Sequence, residues 1–223
     1  MSIGTGTISG ADTQFLVVMD VDSTLIENEV IELLADAAGS LAAVAAVTER
    51  AMAGELDFEH SLRERVRTLA GLPVAAFDEV AEHVRLTPGA RHLIEVLHDT
   101  GSRVAVVSGG FHEVLDPFAE ELHLDYWRAN RLEVVDGRLT GGLVGPIIDA
   151  LGKRHALEEW AAACGVPHDR VVAVGDGAND LRMMDAAGLS VAFNAKPLVR
   201  SHADVVIDVC DLSQVLPLLG LRG

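Results

Sequence analysis

The chain has 223 residues, 49% of them hydrophobic and only 4% aromatic, with a formal net charge of −17. This length carries one α/β core with a smaller insertion, or two modest domains, with Val, Leu, Ile and Ala filling the interior. The acidic balance excludes electrostatic binding to nucleic acid or anionic membranes, and no apolar run reaches the ~20 residues of a membrane span.

In chain order, residues 1–13 are small and polar, with no basic region and no apolar core. They predict a disordered tail rather than a signal peptide, and a cytoplasmic protein. Residues 15–19, 104–107 and 171–174 are continuous apolar runs. They lack alternation, so each predicts a parallel strand covered on both faces. Between the first two lie only helical patterns, over 28–38, 41–53, 57–70 and 74–84, punctuated by Gly39, Gly54 and Gly71. Further helices are expected over 111–123, 152–163 and 180–187, and strands at 189–193 and 204–209. Residues 131–144 read as a hairpin turning at Asp136-Gly137. The sum is a doubly wound α/β core over 14–27 and 87–223, interrupted by a helical cap domain over 28–86.

Cys164 and Cys210 have no CxxC or zinc-like spacing and read as reduced, buried thiols. Trp127 and Trp160 are expected in the core. His112, His155 and the other histidines are expected on helices or the surface.

Each strong strand ends in a polar cluster: Asp20-Val-Asp22-Ser-Thr24, Ser108-Gly-Gly110, and Gly175-Asp-Gly-Ala-Asn-Asp180. Ligands of open parallel sheets bind outside the carboxyl ends of the strands, so the three clusters converge. Asp20 and Asp22, two apart in an extended segment, are expected to point the same way. With Asp176 and Asp180 they would crowd four carboxylates together, a conflict that a hard divalent cation such as Mg²⁺ resolves. Taken singly, each aspartate reads equally as a helix cap or a turn residue. Ser108 with Gly109 and Gly110 suits an oxyanion at a helix start. Lys153, at a helix start that does not favour positive charge, is either the phosphate's cation or an ordinary surface lysine.

Residues 57–70 carry a separate signal. At about 100° per residue, Arg65 falls in the apolar stripe with Phe58, Leu62 and Leu69. A guanidinium there binds a substrate carboxylate, pairs with an internal acid, or snorkels outward. Glu29 reads as solvated, and Met52 and Phe58 as core residues.

Together, Asp20-Val-Asp-Ser-Thr-Leu25, Val107-Ser-Gly-Gly-Phe111, Lys153 and Gly175-Asp-Gly-Ala-Asn-Asp180 resemble the haloacid dehalogenase superfamily of phosphatases. Asp20 to Glu29, Phe58 to Arg65 and Ala129-Asn-Arg131 look like its phosphoserine phosphatase branch. The resemblance implies an aspartyl-phosphate on Asp20, with Asp22 as general acid and then base. Ser108, the Gly109 amide and Lys153 would hold phosphate. Mg²⁺ would be bound by Asp20, the Asp22 carbonyl and Asp176, supported by Asp180. Glu29, Met52, Phe58, Arg65 and Asn179 would contact phosphoserine, the small-molecule partner of a serine-biosynthesis enzyme.

Some members of the branch carry regulatory domains before the first strand. Only a short tail stands there in this chain, so control through such a domain is not expected. Arg154 replaces Lys153 at the phosphate if the assignment slips by one residue. Rival readings keep the same chemistry on phosphohomoserine or another small phosphomonoester, transfer the phosphoryl group to a second alcohol, or make the chain a phospho-accepting signalling domain.

Overall fold

The apolar runs become the middle of a sheet because successive residues face two different cores. The computed structural model describes residues 14–222, and the tail expected over 1–13 lies outside them. Its elements are β1 (Leu16–Met19), α1 (Val30–Ala37), α2 (Leu41–Met52), α3 (Phe58–Arg67), α4 (Ala76–His83) and α5 (Ala90–Asp99). Then follow β2 (Arg103–Phe111), α6 (His112–Glu121), β3 (Tyr126–Val135), β4 (Arg138–Val144) and α7 (Ala150–Cys164). The chain closes with β5 (Val171–Gly175), α8 (Leu181–Met184), β6 (Leu189–Phe193), α9 (Pro197–Arg200), β7 (Val205–Ile207) and α10 (Val215–Leu218).

The seven strands lie in the order β4-β3-β2-β1-β5-β6-β7. All neighbours are parallel except β3 and β4. Val17, Met19, Val104, Val106, Val172 and Val174 face a core with Leu93, Ile94 and Leu97 of α5. Leu16, Val18, Ala105, Val107 and Ala173 face the other, with Leu157 and Trp160 of α7. Burial on both faces is why the strands show no alternation.

The helices α1–α4 occupy the segment between β1 and α5 with no named strand among them. The two chain crossings lie side by side: Ile26 and Leu86 form an antiparallel bridge, the Glu27 amide donates to Arg85 O at 2.8 Å and the Thr87 amide to Leu25 O at 3.0 Å. Helix α3 packs on β4, where the Gly71 amide donates to Leu139 O and the Leu139 amide to Leu72 O.

Several expectations change. Helix α5 was not foreseen, although buried Ala90, Leu93, Ile94 and Leu97 carry amphipathic spacing. Strand β3 begins five residues before the hairpin, because Tyr126–Arg128 first pair in parallel with β2. Cys210 is exposed and Cys164 half-buried, so the thiols are not both core residues. Trp160 is buried but Trp127 only partly, since its indole N–H must reach Asp116 Oδ1 at 2.9 Å. His112 lies on a helix as expected, at the first position of α6, and it has structural partners: Nδ1 meets Asp116 at 2.6 Å and Nε2 accepts from the Ala129 amide at 3.1 Å, tying α6 to β3. Among the described residues no helix is long and apolar enough to cross a membrane.

Gly89 precedes α5 at φ +77, and a Cβ there would overlap the Asp211 carboxylate and the Ser213 amide. Gly101 has φ +76 with open space around it. Gly101→Ala is expected to cost about 1 kcal/mol and Gly89→Ala at least twice that. Urea unfolding of the two variants measures the difference.

Candidate active site

Strand β1 ends at Met19, and Asp20 follows it with the backbone still extended. Residues Val21–Leu25 form a wide, irregular turn in which Asp22 is extended and Ser23 is left-handed at φ 56. Asp20 and Asp22 themselves keep extended backbone angles, and both line one cavity as expected, although different partners hold them.

Asp20 is buried. Its Oδ1 accepts from the Val21 amide at 2.7 Å and faces the Lys153 Nζ at 2.6 Å. Among the described residues its Oδ2 has no hydrogen-bond donor. One oxygen is pinned and the other is open. The same lysine reaches Asp180 Oδ1 at 2.7 Å, while Asp180 Oδ2 accepts from the Asp176 and Gly177 amides. Lys153 is fully buried, which removes the surface-lysine reading. Arg154 is paired outward with Glu158 at 2.7 Å, so the cation beside Asp20 is Lys153 and not its neighbour.

Two buried carboxylates share one ammonium. Burial, then the Asp180 charge, holds the Asp20 carboxyl well above the usual range despite Lys153. Burial alone would pull Lys153 down, but Asp180 and Asp20 outweigh it and hold it up. Asp176 is pushed up to about 6, by burial and then by Asp180.

Asp20, Asp176 and Asp180 each offer an oxygen, all within 4.8 Å of one another. An all-oxygen, mutually repelling set fits a hard divalent cation. Asp22 does not join with its carboxylate. Its Oδ1 accepts from the Val30 amide at 2.7 Å, at the start of α1, and its Oδ2 from Ser108 Oγ at 3.1 Å. Burial, then Glu29, push it up to about 6.

Above these groups lies an open cavity of ≈ 770 Å³. Asp20, Asp22, Glu29, Met52, Phe58, Arg65, Gly109, Asp176 and Asn179 line it. Sequence-distant residues of β1, α1–α3, β2 and the loop after β5 are thus brought together. Ser108 and Lys153 do not line it; they are buried beneath its floor. Ser108 belongs to the end of β2, and α6 begins only at His112, so the expected helix-start geometry at Ser108 does not form. Instead the Gly110 amide donates to Ser108 Oγ at 2.7 Å. Met52 is 80% exposed rather than core. Phe58 sits against Gly109, where a Cβ would come within 2.9 Å of its ring.

Arg65 lines the cavity with no ion pair among the described residues; its Nε reaches only Ser61 O, at 3.4 Å. The internal-pair reading is thereby removed. Burial lowers its pKa, against Glu29, Asp22 and Glu32. Glu29 is exposed and accepts from Ser23 Oγ at 2.7 Å.

Lys196, Thr48 and Glu32 also line the cavity and were not anticipated. Lys196 was findable: it follows the carboxyl end of β6, a fourth strand end on the same side of the sheet.

Residues 17–185 match the haloacid dehalogenase-like hydrolase family. The chain is 55% identical over 212 residues to phosphoserine phosphatase SerB2 of Mycobacterium tuberculosis, covering 95% of this chain and 52% of that one. It is 48% identical over 213 residues to a phosphoserine phosphatase of Streptococcus thermophilus, covering 96% of this chain and 99% of that one. A solved structure of a phospho-aspartyl intermediate analogue of phosphoserine phosphatase superposes with a TM-score of 0.87 at 41% identity, covering 94% of this chain and all of the other. The chain spans about half the length of some curated relatives that it matches.

Raised carboxyl pKa values stabilise the fold at low pH, and that stability is lost as pH rises through the folded value. Without divalent cations, thermal stability is expected to fall between about pH 4 and pH 7, the window set by Asp22 and Asp176. Asp176→Asn should flatten this slope, as should a divalent cation in the wild type. Calorimetric melting across pH checks both.

Proposed function

We propose, from the premise that the chain belongs to the haloacid dehalogenase-like hydrolase family, that it hydrolyses O-phospho-L-serine to L-serine and phosphate through an aspartyl-phosphate on Asp20. The observation that carries the substrate is Arg65. An unpaired guanidinium faces the same cavity as Asp20 and Asp22, and such a group suits bidentate capture of a carboxylate. The name of the relatives that match over nearly the whole chain supports the same choice.

In this reading the open Oδ2 of Asp20 attacks phosphorus as the P–O bond to the serine oxygen breaks. Asp22, whose carboxyl is pushed up to about 6, gives its proton to that leaving oxygen. The same carboxylate then takes a proton from water as the water attacks the phosphoryl group and frees Asp20. Tuning toward neutral pH suits a group that must do both. Splitting the hydrolysis in two lowers each barrier. Lys153 beneath Asp20 fixes the nucleophile's rotamer and, with Ser108 and the Gly109 amide, balances phosphoryl charge. A Mg²⁺ ion held by Asp20, the Asp22 carbonyl and Asp176, with Asp180 as anchor, would neutralise phosphate charge.

Glu29, held by Ser23, would receive the substrate ammonium, and Met52, Phe58 and Asn179 would close around the serine part. We treat residues 28–86 as a cap that moves on the paired crossings at 26–28 and 84–87. Closure would keep water away during the first step.

Asp20→Asn should abolish turnover of every phosphomonoester, and chelation of divalent cations should do the same reversibly. Arg65→Ala should lower kcat/KM for phosphoserine roughly 10- to 100-fold, the size of a lost charged hydrogen bond. It should change p-nitrophenyl phosphate hydrolysis less than about fivefold. Steady-state kinetics on both substrates decides; equal losses would make Arg65 structural. A panel including phosphohomoserine tests the amino-acid specificity.

A further inference from the structure

The sheet is interrupted where the site needs it. Val107 pairs with Arg128 and Phe111 with Asn130, so four steps along β2 face two along β3. The two surplus residues push Ser108, Gly109 and Gly110 out of the ladder, as in an extended β-bulge. Their backbone groups lose strand partners, and something must hold them.

Asn130 does so. Its side chain is 1% exposed. Its Nδ2 donates to Gly109 O at 2.9 Å and its Oδ1 accepts from the Ile148 amide at 2.8 Å. Ile148 is followed by Asp149, the N-cap of α7, whose carboxylate accepts from the Gly152 amide at 2.8 Å. Lys153 is the next residue. One buried amide therefore spans from the bulge carrying Ser108 and Gly109 to the start of the helix carrying Lys153. In sequence these parts are more than 40 residues apart.

We infer that Asn130 is a positioning residue for phosphoryl transfer, setting the distance between the Gly109 backbone and the Lys153 ammonium. It does not itself face the cavity. The inference rests on the phosphatase reading, in which both groups hold the phosphate. An amide is required because the two ends need opposite roles: a carbonyl needs a donor and an N–H needs an acceptor. Asp offers only acceptors when ionised, and Ala offers neither. A misplacement of about 1 Å in such a site costs as much as 10²-fold in rate.

The test compares Asn130→Ala and Asn130→Asp with Leu97→Ala. Leu97 lies fully buried on the core face of α5, and its truncation leaves a cavity that destabilises the fold without touching the site. Each variant is assayed well below its melting temperature for kcat, KM and inhibition by inorganic phosphate. Both Asn130 variants should weaken phosphate inhibition and lower kcat/KM for p-nitrophenyl phosphate and phosphoserine alike, by about 10- to 100-fold. Leu97→Ala should lower the melting temperature with both parameters within about twofold of the parent. Parent-like phosphate inhibition in folded Asn130 variants would overturn the inference. So would failure of both to fold, since that makes Asn130 structural only. A parent that turns over no phosphomonoester overturns the phosphatase reading itself, and the inference with it.

Discussion

The site is organised by one buried ammonium between two carboxylates. Lys153, fully buried, lies 2.6 Å from Asp20 and 2.7 Å from Asp180. A charge so placed is tolerated only with partners in good geometry, and each partner is fixed in turn. Asp180 is held by two backbone amides of the loop after β5, and Asp20 by the Val21 amide. Three segments far apart in sequence are thereby locked at one sheet edge. One Asp20 oxygen is consumed by this lock and the other is left toward the cavity, which in the proposed mechanism makes it the attacking atom.

The same economy of contacts joins the sheet to helices α1–α4. Asp22, which is not part of the lysine cluster, accepts from the first amide of α1 and from Ser108. Ser23 reaches Glu29 from a left-handed backbone conformation. Conformations of that kind persist where surroundings over-determine them. The turn after β1 thus carries Asp20, presents Asp22 to the same cavity, and anchors the entrance to helices α1–α4 within six residues. Phe58 over Gly109 adds an apolar contact from α3 to β2, at a position where any side chain larger than hydrogen would intrude.

Under the proposed function, these arrangements reconcile an acidic protein with an anionic substrate. The net charge of −17 opposes phosphate at long range. Positive charge is instead placed locally: Lys153 beneath the floor, Arg65 on the cap side, Lys196 on the rim. Short-range charge in a partly desolvated cleft outweighs a diffuse field screened by salt.

Much of this was legible in the chain alone. Buried strands announce themselves as unbroken apolar runs, because burial on both faces removes alternation. Asp136-Gly137 announces a hairpin because few residues tolerate positive φ at both positions. Polar clusters at three strand ends identified the site, because a parallel sheet delivers its strand ends to one edge. Arg65 stood out because a guanidinium among apolar residues conflicts with helical patterning. The local sequence therefore determined the elements, the edge on which chemistry occurs, and the residue types available to it. It could not determine which carboxylate takes Lys153, that Asp22 accepts from Ser108 and the first amide of α1, that Arg65 finds no internal partner, or that Asn130 bridges the bulge to α7. Those depend on side-chain directions and distances between segments tens of residues apart, and only packing of the whole chain fixes them.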